Sequence, residues 1–427
     1  MDLSVEGKIY VNGGFEHACI GISNGKIVEI KKILKSDTHY NFGNNLILPA
    51  GVDIHVHFRD PGLTHKEDFY TGSMAAAFGG ISCVLDMPNT IPQTTKIGLL
   101  SDKINSFKKK SVVDFGLYSA ITNENIENIE KNSMKCNGFK IYLGSTTLSL
   151  LLDKKNLKRV FESVSKTGKP ILMHAEDKEC LIKHKIKEKN IKDHLRARPS
   201  LCEEISIKDV LSYSKNSGVR AHICHVSSCE GIELLKNHNR NISFGITPHH
   251  ALLSIDRMLN PPSFYKVNPP LRSSFDKEAL FDSIKNGTAD ILESDHAPHT
   301  KEEKNTDFND SPSGIPGVET MYPIFLYLVK KQVLSFSRLL SLISSKPSEM
   351  MEIKKGQIKK GFDADFIVVN LKDETRIKAD NLHSKCGWTA FEDWSAIFPK
   401  KVFIRGENVI DANEIQVSPG FGDFVGA

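Results

Sequence analysis

The 427-residue chain has 8 cysteines but no Cys-x-x-Cys pair. Cys19, Cys83, Cys136, Cys180, Cys202, Cys224, Cys229 and Cys386 are scattered, which argues against a zinc ribbon or a disulfide framework. They are expected to be reduced, mostly buried thiols of a cytoplasmic protein. No apolar run approaches the roughly 18 residues of a membrane helix. The opening residues Met1-Asp2-Leu3-Ser4-Val5-Glu6-Gly7 lack a basic region and an apolar region, so no secretory leader is expected. Gly-x-Gly-x-x-Gly is absent, and Gly168-Lys169 runs into Pro170 instead of Ser or Thr. Both facts disfavour a nucleotide-binding enzyme. The net charge of +4 is spread thinly, with one compact run at Lys108-Lys109-Lys110. A run that short reads as a solvated helix end, so neither a nucleic-acid nor a membrane partner is expected. Short-period repeats and low-complexity tracts are also missing.

What remains is an ordinary globular composition, 40% hydrophobic and 25% charged. The length exceeds what one core usually spans, so a large barrel with a smaller satellite is expected. In the first 45 residues, Cys19–Ile22 and Lys26–Ile30 flank Ser23-Asn24-Gly25. Asn-Gly between alternating apolar runs is a strong hairpin signal. Eight apolar runs follow, separated by helical or loop stretches: Leu46–His57, Ile81–Asp86, Val112–Tyr118, Gly138–Leu143, Pro170–His174, Val219–His225, Ile242–Thr247 and Ala289–Asp295. That alternation predicts an α/β fold, a (β/α)8 TIM-like barrel. Past about residue 350 strands return, at Phe366–Val369 and Lys401–Arg405. The expected organisation is a barrel over residues 49–350, with a small β-sandwich domain built from residues 1–48 and 351–427. The polar stretch Thr300–Ser313 follows the last barrel strand and reads as a long functional loop.

Several chemistry-bearing residues sit where barrel strands end. Asp53-Ile54-His55-Val56-His57-Phe58-Arg59 closes the first run. Residues two apart on a strand share a face, so His55 and His57 can present two imidazoles to one divalent ion. His174 and His225 end two further runs, and Asp295 ends the last. A carboxylate there can bind metal and shuttle a proton; in isolation it is also an ordinary turn residue. Lys140 alternates with Phe139 and Ile141. It is either a lysine snorkelling at a strand end or a buried amine able to react with carbon dioxide and bridge two ions as a carbamate. Two adjacent ions would lower the pKa of a shared water towards about 7. His222 has the opposite strand parity from His225 and is read as structural. Arg59 at the mouth can grip a carboxylate in a bidentate fork, unless Asp60 or another acid claims it. Asn89, after the second run, can add a hydrogen bond or simply turn the chain before Pro92.

Six strings carry a resemblance: His55-Val56-His57-Phe58-Arg59-Asp60-Pro61-Gly62, Asp86-Met87-Pro88-Asn89-Thr90, Gly138-Phe139-Lys140-Ile141-Tyr142-Leu143, Met173-His174-Ala175-Glu176, His222-Ile223-Cys224-His225-Val226 and Ser294-Asp295-His296-Ala297-Pro298-His299. In that order they resemble the amidohydrolase superfamily, and within it the dihydroorotases whose two metals are bridged by a lysine. The resemblance covers nearly the whole chain. It implies two zinc ions: one on His55, His57 and Asp295, the other on His174 and His225, with carboxylated Lys140 between them. It implies Arg59, Asn89 and His299 as the groups holding a substrate carboxylate. It places Thr146 on a loop that covers the substrate ring; Thr147 follows where some relatives have Phe. The implied reaction is reversible closure of N-carbamoyl-L-aspartate to (S)-dihydroorotate, in pyrimidine biosynthesis, with Asp295 as proton carrier. The implied setting is a cytoplasmic homodimer acting on a small molecule. An allantoinase or hydantoinase would share the metal site without the full Arg59 and Asn89 clamp. A non-catalytic scaffold would be expected to lack metal ligands, and all six candidates are present.

Overall fold

The computed structural model describes residues 1–144, 150–215, 217–237, 239–256 and 260–426. Four strands open the chain: β1 (Leu3–Val11), β2 (Gly14–Ser23), β3 (Lys26–Lys31) and β4 (Thr38–Pro49). The Asn24-Gly25 turn joins β2 to β3, both residues at positive φ, as a tight hairpin requires. Eight parallel strands follow: β5 (Gly51–Val56), β6 (Ile81–Asp86), β7 (Asp114–Ala120), β8 (Gly138–Tyr142), β9 (Ile171–His174), β10 (Ala221–Ile223), β11 (Ile242–Ile246) and β12 (Ile291–Leu292). They pair in sequence order, β5 to β12. A Val56–His296 bridge, with the His57 amide donating to the His296 carbonyl at 2.8 Å, brings the last strand's end back to the first. This is the expected barrel. Its strands read as apolar runs because helices cover them outside and side chains fill them inside. The helix Leu157–Ser165 shows the outer pattern: Leu157, Val160, Phe161 and Val164 are buried on one face. The helix Phe69–Phe78 starts where Asp68 caps the amides of Tyr70 and Thr71.

The chain then returns through β13 (Phe366–Val369), a short ribbon of β14 (Thr375–Arg376) and β15 (Ser395–Ala396), and β16 (Lys401–Ile404), β17 (Glu407–Asp411) and β18 (Glu414–Ile415). Both ends of the chain share one eight-stranded sheet, ordered β18-β17-β16-β13-β4-β1-β2-β3. The run read as Leu46–His57 is divided at Ala50: β4 pairs with β1 and β13 in the sheet, and β5 starts the barrel. Alternation splits this sheet between two cores. Ile47, Phe366, Val368 and Phe403 join one apolar cluster, while Leu46, Leu48, Ile367 and Val369 join the barrel's outer layer. The expectation that all thiols are reduced fails at one place: Cys180 and Cys202 form a disulfide. The two helices bearing them are tied by the Asp177 amide donating to the Cys202 carbonyl at 2.8 Å, a contact between residues that spacing alone cannot pair.

Candidate active site

The C-terminal ends of the barrel strands surround a cavity of about 230 Å3. His55, His57, Arg59, Asn89, Lys140, His174, His225, Asp295 and His299 all line it. Thr146 lies outside the described residues. His55 Nε2 and His57 Nε2 reach the same Asp295 oxygen at 3.3 and 3.1 Å. On the opposite wall His174 Nδ1 and His225 Nε2 face each other at 3.1 Å. Lys140, fully buried, reaches the Cys224 sulfur at 3.0 Å; among the described residues no carboxylate pairs with it. Arg59, His225 and Asp295 take φ of 61°, 40° and 43°. Side-chain-bearing residues rarely adopt such values, and they gather at functional sites.

Hydrogen bonds behind the imidazoles fix which nitrogen faces inward. Asn89 Oδ1 accepts from His57 Nδ1 at 2.7 Å, and Glu176 accepts from His174 Nε2 at 2.7 Å. Arg198 in turn grips Glu176 with two nitrogens. Each ring thus turns its other nitrogen towards the cavity, His57 towards a carboxylate oxygen and His174 towards a second imidazole. Burial disfavours the charged form of three of the rings, pulling His55 down to about 4 and His174 and His225 below their ordinary value. Burial opposes the charge of Asp295, but His55 and His57 outweigh it and hold the carboxyl well below the usual range. Neutral imidazoles and one carboxylate converging on shared points form a donor set suited to a divalent cation. His55, His225 and Asp295 each offer an atom within 4.8 Å of the others. His225 Nδ1 is buried without a hydrogen-bond partner.

The other wall carries Arg59 and His299. Arg59 is buried, and among the described residues no carboxylate lies within ion-pair distance of it. Asp60, the acid the sequence offered, pairs with Lys110 at 2.6 Å instead. The Arg59 Nε donates to the Pro298 carbonyl at 3.2 Å, and a terminal nitrogen lies 3.3 Å from His299 Nε2. Burial pulls His299 down to about 3, so the ring is neutral. Its Nδ1 accepts from Lys66 at 3.1 Å, and its Nε2 donates to the Ser313 carbonyl at 3.1 Å. The C-terminal segment reaches over to support this wall, where Trp388 donates to the His299 carbonyl at 2.7 Å. The stretch read as a functional loop holds a short helix, Lys301–Lys304, and Pro312 and Ser313 line the cavity. Buried Lys304 braces it by donating to the carbonyls of Lys266, Pro312 and Gly314 at 3.1, 2.8 and 3.2 Å.

Sequence reasoning passed over the residues that act through others. Glu176 sits two residues past His174, a spacing that could have suggested it; Arg198 gave no signal. His222 is not on the cavity wall, yet its Nε2 lies 3.4 Å from buried Glu293. The parity argument that set His222 aside assumed regular alternation, which the left-handed backbone of His225 breaks. Tyr142 lines the cavity with a buried, unpartnered hydroxyl.

Comparison with known proteins agrees on the family. The amidohydrolase family's sequence model matches residues 46–409. A dihydroorotase of Methanosarcina acetivorans is 38% identical over 441 residues, covering 98% of this chain and 94% of the relative. One from Thermoplasma acidophilum is 38% identical over 428 residues, covering 100% and 98%. Among solved structures, an L-hydantoinase (dihydropyrimidinase) from Arthrobacter aurescens superposes with a TM-score of 0.96 at 27% identity, each chain covered fully. No helix among the described residues is long and apolar enough to cross a membrane.

Proposed function

The chain belongs to the amidohydrolase family, and on that footing we propose that it is a dihydroorotase interconverting N-carbamoyl-L-aspartate and (S)-dihydroorotate. It is a hydrolase of cyclic amides, as its family and its dihydroorotase-named relatives indicate. One observation carries the narrower reading: Arg59 is a buried guanidinium on the cavity wall with no acid paired to it among the described residues. An unpaired buried cation is costly, and a substrate carboxylate held in a bidentate fork offsets that cost. A hydantoinase-like enzyme has no use for such a group, since its rings are neutral there.

His55, His57 and Asp295 would hold one zinc ion, and His174 and His225 the other, with carboxylated Lys140 between them. Bound zinc supplies a Lewis acid and lowers the pKa of water to about 7. Arg59 fixes the ring by its carboxylate. Asn89 gives its carbonyl to His57 and keeps its amide nitrogen for the substrate, and neutral His299 completes the clamp. Asp295 is ionised at neutral pH and therefore able to accept a proton. In hydrolysis it takes the proton of the attacking water and gives it to the departing ring nitrogen. In cyclisation it takes a proton from the ureido nitrogen. The proposal includes the division into a barrel of residues 49–350 and a β-domain of residues 1–48 and 351–427. It also includes a cytoplasmic homodimer, for which sedimentation at twice the chain mass is the check.

The test is dihydroorotate hydrolysis by metal-loaded and chelator-stripped protein, with hydantoin and allantoin as controls. Metal-dependent hydrolysis of dihydroorotate alone is the expected result. Turnover of the neutral rings instead would overturn the substrate assignment while keeping the chemistry.

A further inference from the structure

Beneath the cavity floor lies a carboxylate that the mechanism above does not use. Glu293 is fully buried, two residues before Asp295. Its Oε1 accepts from the backbone amide of His225 at 2.6 Å. Its Oε2 lies 3.3 Å from His55 Nδ1 and 3.4 Å from His222 Nε2. Those three atoms have no aligned hydrogen-bond partner, and Oε2 is the ion-pair neighbour of both imidazole nitrogens. The barrel makes room for this group. Gly245 on β11 has no side chain there, and a Cβ would stand 2.4 Å from Oε1.

We propose that Glu293 is a positioning residue for the metal centre, orienting the ring of His55 and the backbone of His225 from one carboxylate. The inference rests on the metal reading above. A metal-binding imidazole nearly always gives its other N–H to a carboxylate or carbonyl, which fixes the tautomer and raises the basicity of the ligating nitrogen. His57 has Asn89 in that place and His174 has Glu176. His55 has Glu293. With Nδ1–H turned to Glu293, His55 Nε2 presents its lone pair on the side where Asp295 sits. The same carboxylate takes the amide of His225 at its left-handed φ of 40°, between Cys224 and Val226, whose amides donate to the Met173 and Gly245 carbonyls of the neighbouring strands. His55 and His225 belong to opposite halves of the centre, so one group registers both. His222, which gives its Nδ1 side to Ser243 at 2.8 Å, acts as a second support for the carboxylate's charge.

The experiment titrates metal-free protein with Co2+ against a competing chelator, reading the visible absorption of the bound ion, for wild type and Glu293→Gln. Near-UV circular dichroism checks that the variant is folded. The expected result is a Co2+ affinity lower by about 10–100-fold with an altered spectrum. With saturating metal, kcat should fall while KM for dihydroorotate holds, because the Arg59 clamp is untouched. Unchanged Co2+ affinity and spectrum in folded Glu293→Gln would overturn the proposal and leave the enzymatic reading standing. A wild type that takes up no Co2+ would overturn both. Should Glu293→Gln not fold, Glu293→Asp decides: the shortened carboxylate withdraws from His55 Nδ1 and the His225 amide, and Co2+ affinity should fall by at least about tenfold. Wild-type Co2+ affinity and spectrum in folded Glu293→Asp would overturn the proposal.

Discussion

Two buried lysines stand at opposite ends of the barrel. Lys355, at the N-terminal ends of the strands, has Asp114, Asp363 and Asp365 within 2.6, 3.0 and 2.8 Å. Burial works against its charge, but Asp365, Cys83 and Asp363 outweigh it, and its pKa is raised. Lys140, at the C-terminal ends, is as deeply buried and has a thiol for its partner. One lysine is locked into an ion cluster that joins the sheet to the barrel, since Asp363 and Asp365 precede β13 and Asp114 begins β7. The other is held without an acid beside a set of neutral imidazoles. Burial alone therefore says little about a lysine's task; the charge of its neighbours decides whether it is a rivet or a reagent.

Exchanging the two ends' roles by mutation tests that difference. The largest effect is expected from paired carboxylates. Asp295→Ala should lose at least about 10^4-fold in turnover, having removed a ligand and a proton carrier together. Equilibrium binding of dihydroorotate and the urea midpoint should hold. Asp365→Ala should do the reverse, lowering the midpoint while folded protein keeps its kcat. Next come the lysines. Lys140→Met should cut kcat by about 10^3-fold with little change in stability. Lys355→Met removes the cation shared by three carboxylates, leaving Asp365 without one among the described residues while Asp114 keeps Arg405 and Asp363 keeps Lys26, and should cost about 3–5 kcal/mol, read by denaturant titration. If both lysine variants lose stability alike, the contrast collapses.

A smaller effect is expected at the clamp. Arg59→Ala should raise KM for dihydroorotate by about 10–100-fold, the cost of one charge-assisted contact, and leave any residual turnover of neutral rings unchanged. An unaltered KM would remove Arg59 from its role. The gentlest probe is pH, applied to metal-free protein. His55 titrates at about 4 when folded against an ordinary 6.5. Below pH 6.5 the unfolded chain takes up a proton that the buried site refuses, so stability should decline as pH falls from 6.5 to about 4. Lys355 is shifted the other way, above its ordinary 10.5. Its contribution is whole below about pH 10.5 and lost as pH rises beyond. Urea midpoints across both windows should thus fall at each edge, and the acid loss should be steeper in protein reloaded with zinc, because metal-bound imidazoles refuse protons that the unfolded chain takes up.

Much of this was legible in the chain itself. The eight barrel strands appear as apolar runs because both their faces are covered, and the proposed ligands appear at run ends because that is where the barrel opens. The division at Ala50 was not read from the chain: Leu46–Leu48 is apolar and Val52 and Ile54 flank Asp53, and it is pairing with β1 and β13 on one side and β6 on the other that separates the two strands, long-range contacts that periodicity does not encode. Arg59, Asn89 and His299 could be named from their strings. Arg198 and Glu293 could not, because each acts on another side chain and leaves no pattern of its own; for Glu176 the spacing from His174 was the one hint. The Cys180–Cys202 pair escaped for the same reason, being a matter of two helices meeting.

The sheet shared by both chain ends imposes a timetable. Strand β4 needs β13 on its open edge, and roughly 300 residues must be made in between. At about 5–20 residues per second that is a wait of about 15–60 seconds on the ribosome. Throughout it, the first four strands present an unfinished apolar edge to the cell, a template for mispairing. Nascent chains stalled before β13 should accordingly be captured by holdase chaperones, and release should coincide with emergence of the last strands.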